Sequence, residues 1–142
     1  MTTPQFIVTP GVGTRLREQN NHSQAVRLGD VVHVSGQGGW DEDLQFPADL
    51  GEEVVRAFDN VERVLAEAGA SWADVVAVDS FHVPLADDEI GELHVRVAAE
   101  ELGRRTGGRA PVWTAVGVPS LAAVGMRIEI RVTAVAPQPA AG

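Results

Sequence analysis

MRIEIRVTAVA, residues 126–136, alternates apolar and polar side chains along most of its length. Successive side chains of a strand point to opposite faces. Met126, Ile128, Ile130, Val132 and Ala134 therefore share one side, and Arg127, Glu129, Arg131 and Thr133 the other. Such a strand belongs to a sheet with one face buried under another layer. The segment before it, VWTAVGV (112–118), reads as a second strand in which Val112, Thr114, Val116 and Val118 alternate with Trp113, Ala115 and Gly117. Turning the aliphatic sets of both strands toward the covering layer places Trp113, Ala115 and Gly117 beside Arg127, Glu129 and Arg131. Small residues and one Trp on an uncovered face suit close approach by another surface, since Trp is enriched at interfaces. This points to a homo-oligomer packed through the sheet.

The covering layer lies upstream. In ADLGEEVVRAFDNVERVLAEAGA (48–70), Leu50, Val54, Phe58, Val61, Leu65 and Ala68 recur every three or four residues, one apolar helical stripe. Asp49 followed by Glu52 resembles a capping box, and Gly69 suits the left-handed residue that ends a helix. A second amphipathic helix spans 87–105, with Ile90, Leu93, Val97 and Leu102 inward. Between the helices, WADVVAVDSFHVPL (72–85) is a strand ended by Pro84. Before them, QAVRLGDVVHVSG (24–36) is a hairpin turning at Gly29-Asp30, and Gly36, Gly38 and Gly39 close its second arm. The order β-β-α-β-α-β-β is an α+β pattern: one mixed sheet with both helices on one face. One domain fills residues 1–142, with its core at about 16–136 and loose ends at MTTP and PQPAAG.

Composition narrows the partners. With 11 Lys+Arg against 20 Asp+Glu the net charge is −9. Nucleic acid is held mainly by neutralising its phosphates, so an acidic domain is a poor fit. Arg104, Arg105 and Arg109 form the densest basic group and read as a solvated loop. The chain has no cysteine, hence no disulfide, thiol nucleophile or thiolate metal site, which fits a cytoplasmic protein. No apolar run approaches the roughly 20 residues of a membrane helix, and no secretory signal is expected. His33, His82 and His94 have no metal-ligand spacing, and no Ser-His-Asp or phosphate-loop pattern occurs. Trp40 and Trp72 read as packing residues at element ends.

HSQAVRLGDVVHVSGQGGWD (22–41), NVERVLAEAGASWADVV (60–76) and TAVGVPSLAAVGMRIEIRVTAVA (114–136) together resemble the Rid/YjgF family, the reactive intermediate deaminases. The carriers are the Gln24-Ala25-Val26 hairpin with Gly29, Ser35-Gly36-Gln37, Asn60-Val61, Ala68-Gly69-Ala70 with Asp74-Val75-Val76, and Ile128-Glu129-Ile130. The resemblance implies a chorismate-mutase-like fold. It also implies a homotrimer whose sheets form a central barrel, with a small-molecule cleft at each subunit interface. Family members of this kind hydrolyse enamines and imines to a 2-keto acid and ammonia, with no metal or organic cofactor.

The resemblance also assigns site residues. Glu129 stands where the family keeps the carboxylate that positions or activates the attacking water. His22 takes the place of a cleft-lining Tyr. Ser35, Gly36 and Gln37 lie on the cleft-lining segment. The deaminases clamp the substrate carboxylate with an Arg, a bidentate partner. Counted back from Ile128-Glu129-Ile130, that place falls on Trp113, or on Thr114 without an extra residue in the preceding turn, with Ala115 following. His22 could supply part of the missing positive character, and Arg109 and Arg127 are candidate stand-ins. Alternation puts Arg127 on the Glu129 face, whereas the bland reading makes these a surface Arg and a subunit-contact Arg. Without the clamp, the expected substrate is a reactive imine or enamine other than a small 2-imino acid. The alternatives are a non-catalytic trimer that binds a small metabolite and, against the charge, a ribonuclease.

Overall fold

The computed structural model describes residues 2–85 and 92–138. Six strands and three α-helices occur within them: β1 Gln5–Ile7, α1 Val12–Asn20, β2 Ala25–Leu28, β3 Val31–Gly38, α2 Leu50–Glu67, β4 Val75–His82, α3 Glu92–Thr106, β5 Val112–Gly117 and β6 Ile128–Val135. One turn of 3-10 helix, Trp72–Asp74, leads into β4. The strands form one mixed sheet in the order β1-β2-β3-β6-β4-β5. All neighbours are antiparallel except β4 and β5, which are parallel and joined through α3.

The stripe read from the sequence of α2 is the centre of the core. Leu50, Val54, Phe58, Val61, Leu65 and Ala68 are all buried against Val32, Val34, Ile128, Ile130, Val132 and Ala134 of the sheet. Asp49 caps α2 by accepting the Glu52 amide at 2.9 Å, and Gly69 after it has a φ of 78°. Leu93, Val97 and Leu102 of α3 pack on the same core, while Ile90 lies outside the described residues. Trp72 stacks on Phe58 with ring centroids 5.1 Å apart.

Two elements went unread. β1 lies beside β2, so the amino-terminal segment is part of the sheet from Gln5 onward. The sequence of α1, VGTRLREQN, has no apolar stripe, and Gly13 is its one buried residue. Its polarity hid a helix that is placed by contacts rather than by its own burial. Arg104 and Arg105 also differ from expectation: they form the last turn of α3, not a loop. Arg105 pairs with Asp59 and Glu101.

The face assigned to β5 is inverted. Val78 pairs with Trp113, Ser80 with Ala115 and His82 with Gly117, while Ser80 and His82 also pair with Ile130 and Ile128. Trp113 therefore lies on the helix-covered side, packed on the core. Val112, Thr114 and Val116 share the open side with Asp79, Phe81, Glu129 and Arg131. Alternation fixes which residues of a strand go together but not which set faces inward. On β5 the inward set is marked by Trp113, which packs on the core and donates from Nε1 to Ser80 Oγ at 2.8 Å.

That bond belongs to a chain. Ser80 Oγ lies 2.7 Å from His82 Nε2, and the His82 ring meets His94 of α3 edge-on at 5.2 Å. While it accepts from the indole, the Ser80 hydroxyl keeps its proton and a second lone pair, so it can pair with His82 Nε2 in either ring tautomer. Burial first, then the facing His94, lowers the His82 pKa to about 4. The strand neighbours Gly117 and Ile128 bring no charge to it. The unfolded chain thus binds this proton more readily than the folded one. Stability is full above the ordinary histidine pKa of 6.5 and falls as pH drops toward 4. Urea unfolding is expected to show a loss of about 2 kcal/mol between pH 7.5 and pH 5, absent from His82→Gln.

Candidate functional site

Where β3 meets β6, two residues of β3 are left over between Val34 and Gln37. This is a β-bulge at Ser35-Gly36, a device that re-aims side chains beside functional sites. Gly36 leaves the room that the Glu129 side chain occupies: a Cβ on it would lie 2.2 Å from Glu129 Oε1 and 2.7 Å from Glu129 Cγ. The Glu129 side chain rests across the bare glycine backbone. Gly36→Ala is expected to push the whole Glu129 side chain aside. Any turnover that depends on Glu129 should drop while the melting temperature changes little.

Glu129 opens into a cavity of about 380 Å³. Ser35, Gly36 and His22 line it with Glu129, so four of the residues assigned from the sequence converge. Asn20, Gln19 and Leu16 of α1 form another wall, and Trp40, Leu44, Phe46, Ala122, Ala123 and Met126 complete it. Burial in this setting raises the Glu129 pKa above the usual carboxylate range, with Arg131 pulling weakly the other way. Desolvation that disfavours the charged form is the usual means of tuning a carboxylate for proton transfer.

The apolar wall is held by polar anchors behind it. Asn60 of α2 donates to the carbonyls of Gly38 at 2.7 Å and Trp40 at 3.0 Å, fixing the exit from β3. Asp41 Oδ1 accepts the amides of Asp43 at 2.8 Å and Gln45 at 2.9 Å, and these bonds hold its carboxyl below the usual range. The turn so made presents Leu44, at a φ of 60°, and Phe46 to the cavity. Arg15 ties α1 to the same turn through the Glu42 carbonyl.

The remaining assigned residues lie elsewhere. Gln37 is buried on the helix side of the bulge and donates to the Ser35 carbonyl at 3.2 Å, so it supports Ser35 from behind. It also lines a larger cavity of about 630 Å³ under α1, which Glu129 does not reach. Trp113, Thr114 and Ala115 do not line the Glu129 cavity of their own chain. Arg109 donates to the carbonyls of Trp72, at 3.3 Å, and Val75, stapling the start of β4. Arg127 departs from the face assigned to it. Its amide and guanidinium bind the fully buried Glu53 of α2 at 2.7 and 2.8 Å, and its Nη2 donates to Pro47 and Ala48. It lies just before β6 begins, so strand alternation does not govern it. α1, Trp40, Leu44 and Phe46 are the site components that sequence reading missed. The Asx turn at Asp41 is the one signal that marked the Leu44–Phe46 turn as structured.

This fold is that of a known group. The family described as Endoribonuclease L-PSP matches residues 12–136, nearly the whole chain. The RutC family protein YjgH of Escherichia coli (strain K12) is 37% identical over 131 residues, covering 92% of this chain and 95% of the relative. A solved structure titled Protein YJGH superposes with a TM-score of 0.78 at 33% identity, covering 95% of this chain and 98% of the other. A 2-iminobutanoate/2-iminopropanoate deaminase of Dermatophagoides farinae is 36% identical over 62 residues, 42% of this chain and 48% of that protein. The chain belongs to the Rid/YjgF family.

Proposed function

We propose that this protein hydrolyses a reactive imine or enamine at the Glu129 cavity, as a cytoplasmic homotrimer with one cleft at each subunit interface. One observation carries the reading: a half-buried carboxylate with a raised pKa beside Ser35, Gly36 and His22 in an apolar cavity. In the reaction, Glu129 takes a proton from water as its oxygen bonds to the imine carbon, and the C=N electron pair moves to nitrogen. The carbinolamine then collapses. Glu129 returns this proton to nitrogen, then takes the hydroxyl proton as the carbonyl forms and passes it to the departing nitrogen as the C–N bond breaks, so a carbonyl compound and ammonia or an amine leave. The family likeness, which includes a relative named as an imine deaminase, supports this chemistry.

The oligomer rests on the uncovered sheet face. Val112 there is 72% exposed and Val116 39%, with Thr114 between them and Phe81 paired with Val116 in the register. Glu at both valines is expected to dissociate the assembly, read as a lower mass by sedimentation. RNA cleavage finds little support. Arg104, Arg105, Arg109, Arg127 and Arg131 are each held by carboxylates or carbonyls of this chain, so they form no free patch for phosphates.

The test is ammonia or amine release above the spontaneous rate, by the purified oligomer. It compares 2-aminoacrylate generated in situ from serine with an imine that carries no carboxylate. Acceleration of the second is expected. No acceleration of either by folded protein overturns hydrolysis and leaves a site that only binds.

A further inference from the structure

We infer that the Glu129 cavity selects an organic cation, a protonated imine or amine with an apolar substituent, and rejects carboxylates. This rests on the hydrolase reading for the location of the site and goes beyond it in naming the charge and character of the ligand.

The lining carries the argument. Among the described residues no Lys or Arg lines the cavity, and Glu129 is its one acidic group. His22 is the other ionisable side chain, and its Nδ1 lies 3.2 Å from the Ser23 carbonyl oxygen. The two arginines nearest Glu129 in the chain are committed elsewhere. Arg127 is bound to Glu53 and to the Pro47 and Ala48 carbonyls. Arg131 is turned to Asp79 at 3.1 Å, with its guanidinium 5.8 Å from the Phe81 ring. On this chain's side of the cleft a ligand carboxylate would therefore meet the Glu129 carboxylate with no Lys or Arg in the lining and with Arg131 held by Asp79, and like charges at close range repel strongly in half-buried surroundings. A cationic nitrogen meets the reverse. It offsets the desolvation that the carboxylate suffers alone.

The rest of the wall sets the substituent. Trp40, Phe46, Leu44, Leu16 and Met126 offer rings, aliphatic carbon and a thioether, and bury apolar area on binding. Aromatic faces also receive cations. The volume of about 380 Å³ suits a small ring-bearing molecule. Ser35 and Asn20 supply neutral hydrogen-bonding groups for orientation.

Three probes of one shape separate charge from shape: benzylamine, benzyl alcohol and benzoate. Calorimetry on the unaltered oligomer at low ionic strength is expected to rank benzylamine first, by about tenfold over the alcohol, with benzoate weakest. Glu129→Gln should bring benzylamine to the level of the alcohol. Phe46→Ala should weaken both together. Benzoate binding as well as benzylamine overturns the inference, as does a ranking that persists in Glu129→Gln. Failure of benzylamine to bind at millimolar concentration does the same. Hydrolysis is scored separately. Turnover of a carboxylate-free imine without cation preference removes the inference and keeps the hydrolase. Cation preference without turnover of any imine keeps the inference and removes the hydrolase.

Discussion

Glu129→Gln is expected to lower kcat/KM for imine hydrolysis by about 10²- to 10⁴-fold, the usual range for loss of a positioned general base. The substitution keeps the shape that lies across Gly36, so the fold should remain. It should also change stability in a direction that marks the mechanism. Burial raises the Glu129 pKa, so the ionised form is disfavoured in the folded state. A group with a raised folded pKa contributes stability at low pH that is lost as pH rises through that pKa. Gln carries no charge at any pH. The variant should match the parent in acid and equal or exceed it above neutrality, even as activity is lost. In the parent, kcat/KM should rise with pH along a limb lying above the ordinary carboxylate range. An inactive variant that also melts early would instead make Glu129 a structural residue. A variant with unchanged kcat/KM would remove it from the chemistry.

Arg127→Ala is expected to cost about 3–5 kcal/mol in unfolding free energy, the usual loss when one member of a buried ion pair is removed. Glu53 is fully buried, and both of its carboxylate oxygens are bound by Arg127, one by the amide and one by the guanidinium. The backbone amide remains in the variant, but the charge does not, and a buried carboxylate is left without its cation. The same guanidinium holds the Pro47 and Ala48 carbonyls at the approach to α2. Exchanging both partners for apolar residues, Arg127→Met with Glu53→Leu, should recover much of the loss, because no charge then stays buried. Urea unfolding of the two single variants and the pair forms the cycle. A single-variant loss below about 1 kcal/mol would place the pair with surface ion pairs. This separates Arg127 from the carboxylate clamp that its sequence position suggested.

The layered fold was legible because burial writes a period into a sequence. Every residue of the α2 stripe is buried, and the apolar set of β6 is buried as assigned. The β2-β3 turn at Gly29 was legible from its conformational demand, a φ of 62° that glycine adopts without cost. Glu129, Ser35, Gly36 and His22 converge on one cavity, although the grouping came through family resemblance rather than spacing. α1 was not legible, because a helix that buries only one glycine leaves no stripe. Nor was the pairing of His82 with His94, since the contact joins a strand to a helix twelve residues on.

The amino-acid sequence by itself determined the α+β layering, the inward face of β6 and the capped helix α2, because each follows from contacts within one element or from its own periodicity. Only the tertiary structure decided which way β5 turns, whether Arg127 meets ligand or Glu53, and that Trp40, Leu44 and Phe46 wall the site. The physical reason is common to all three. A side chain such as Trp113 or Arg127 satisfies its polar atoms wherever a partner is buried nearby, and that partner sits on another element. Local pattern says that a tryptophan or a guanidinium needs a place, and the packing of strands and helices supplies it.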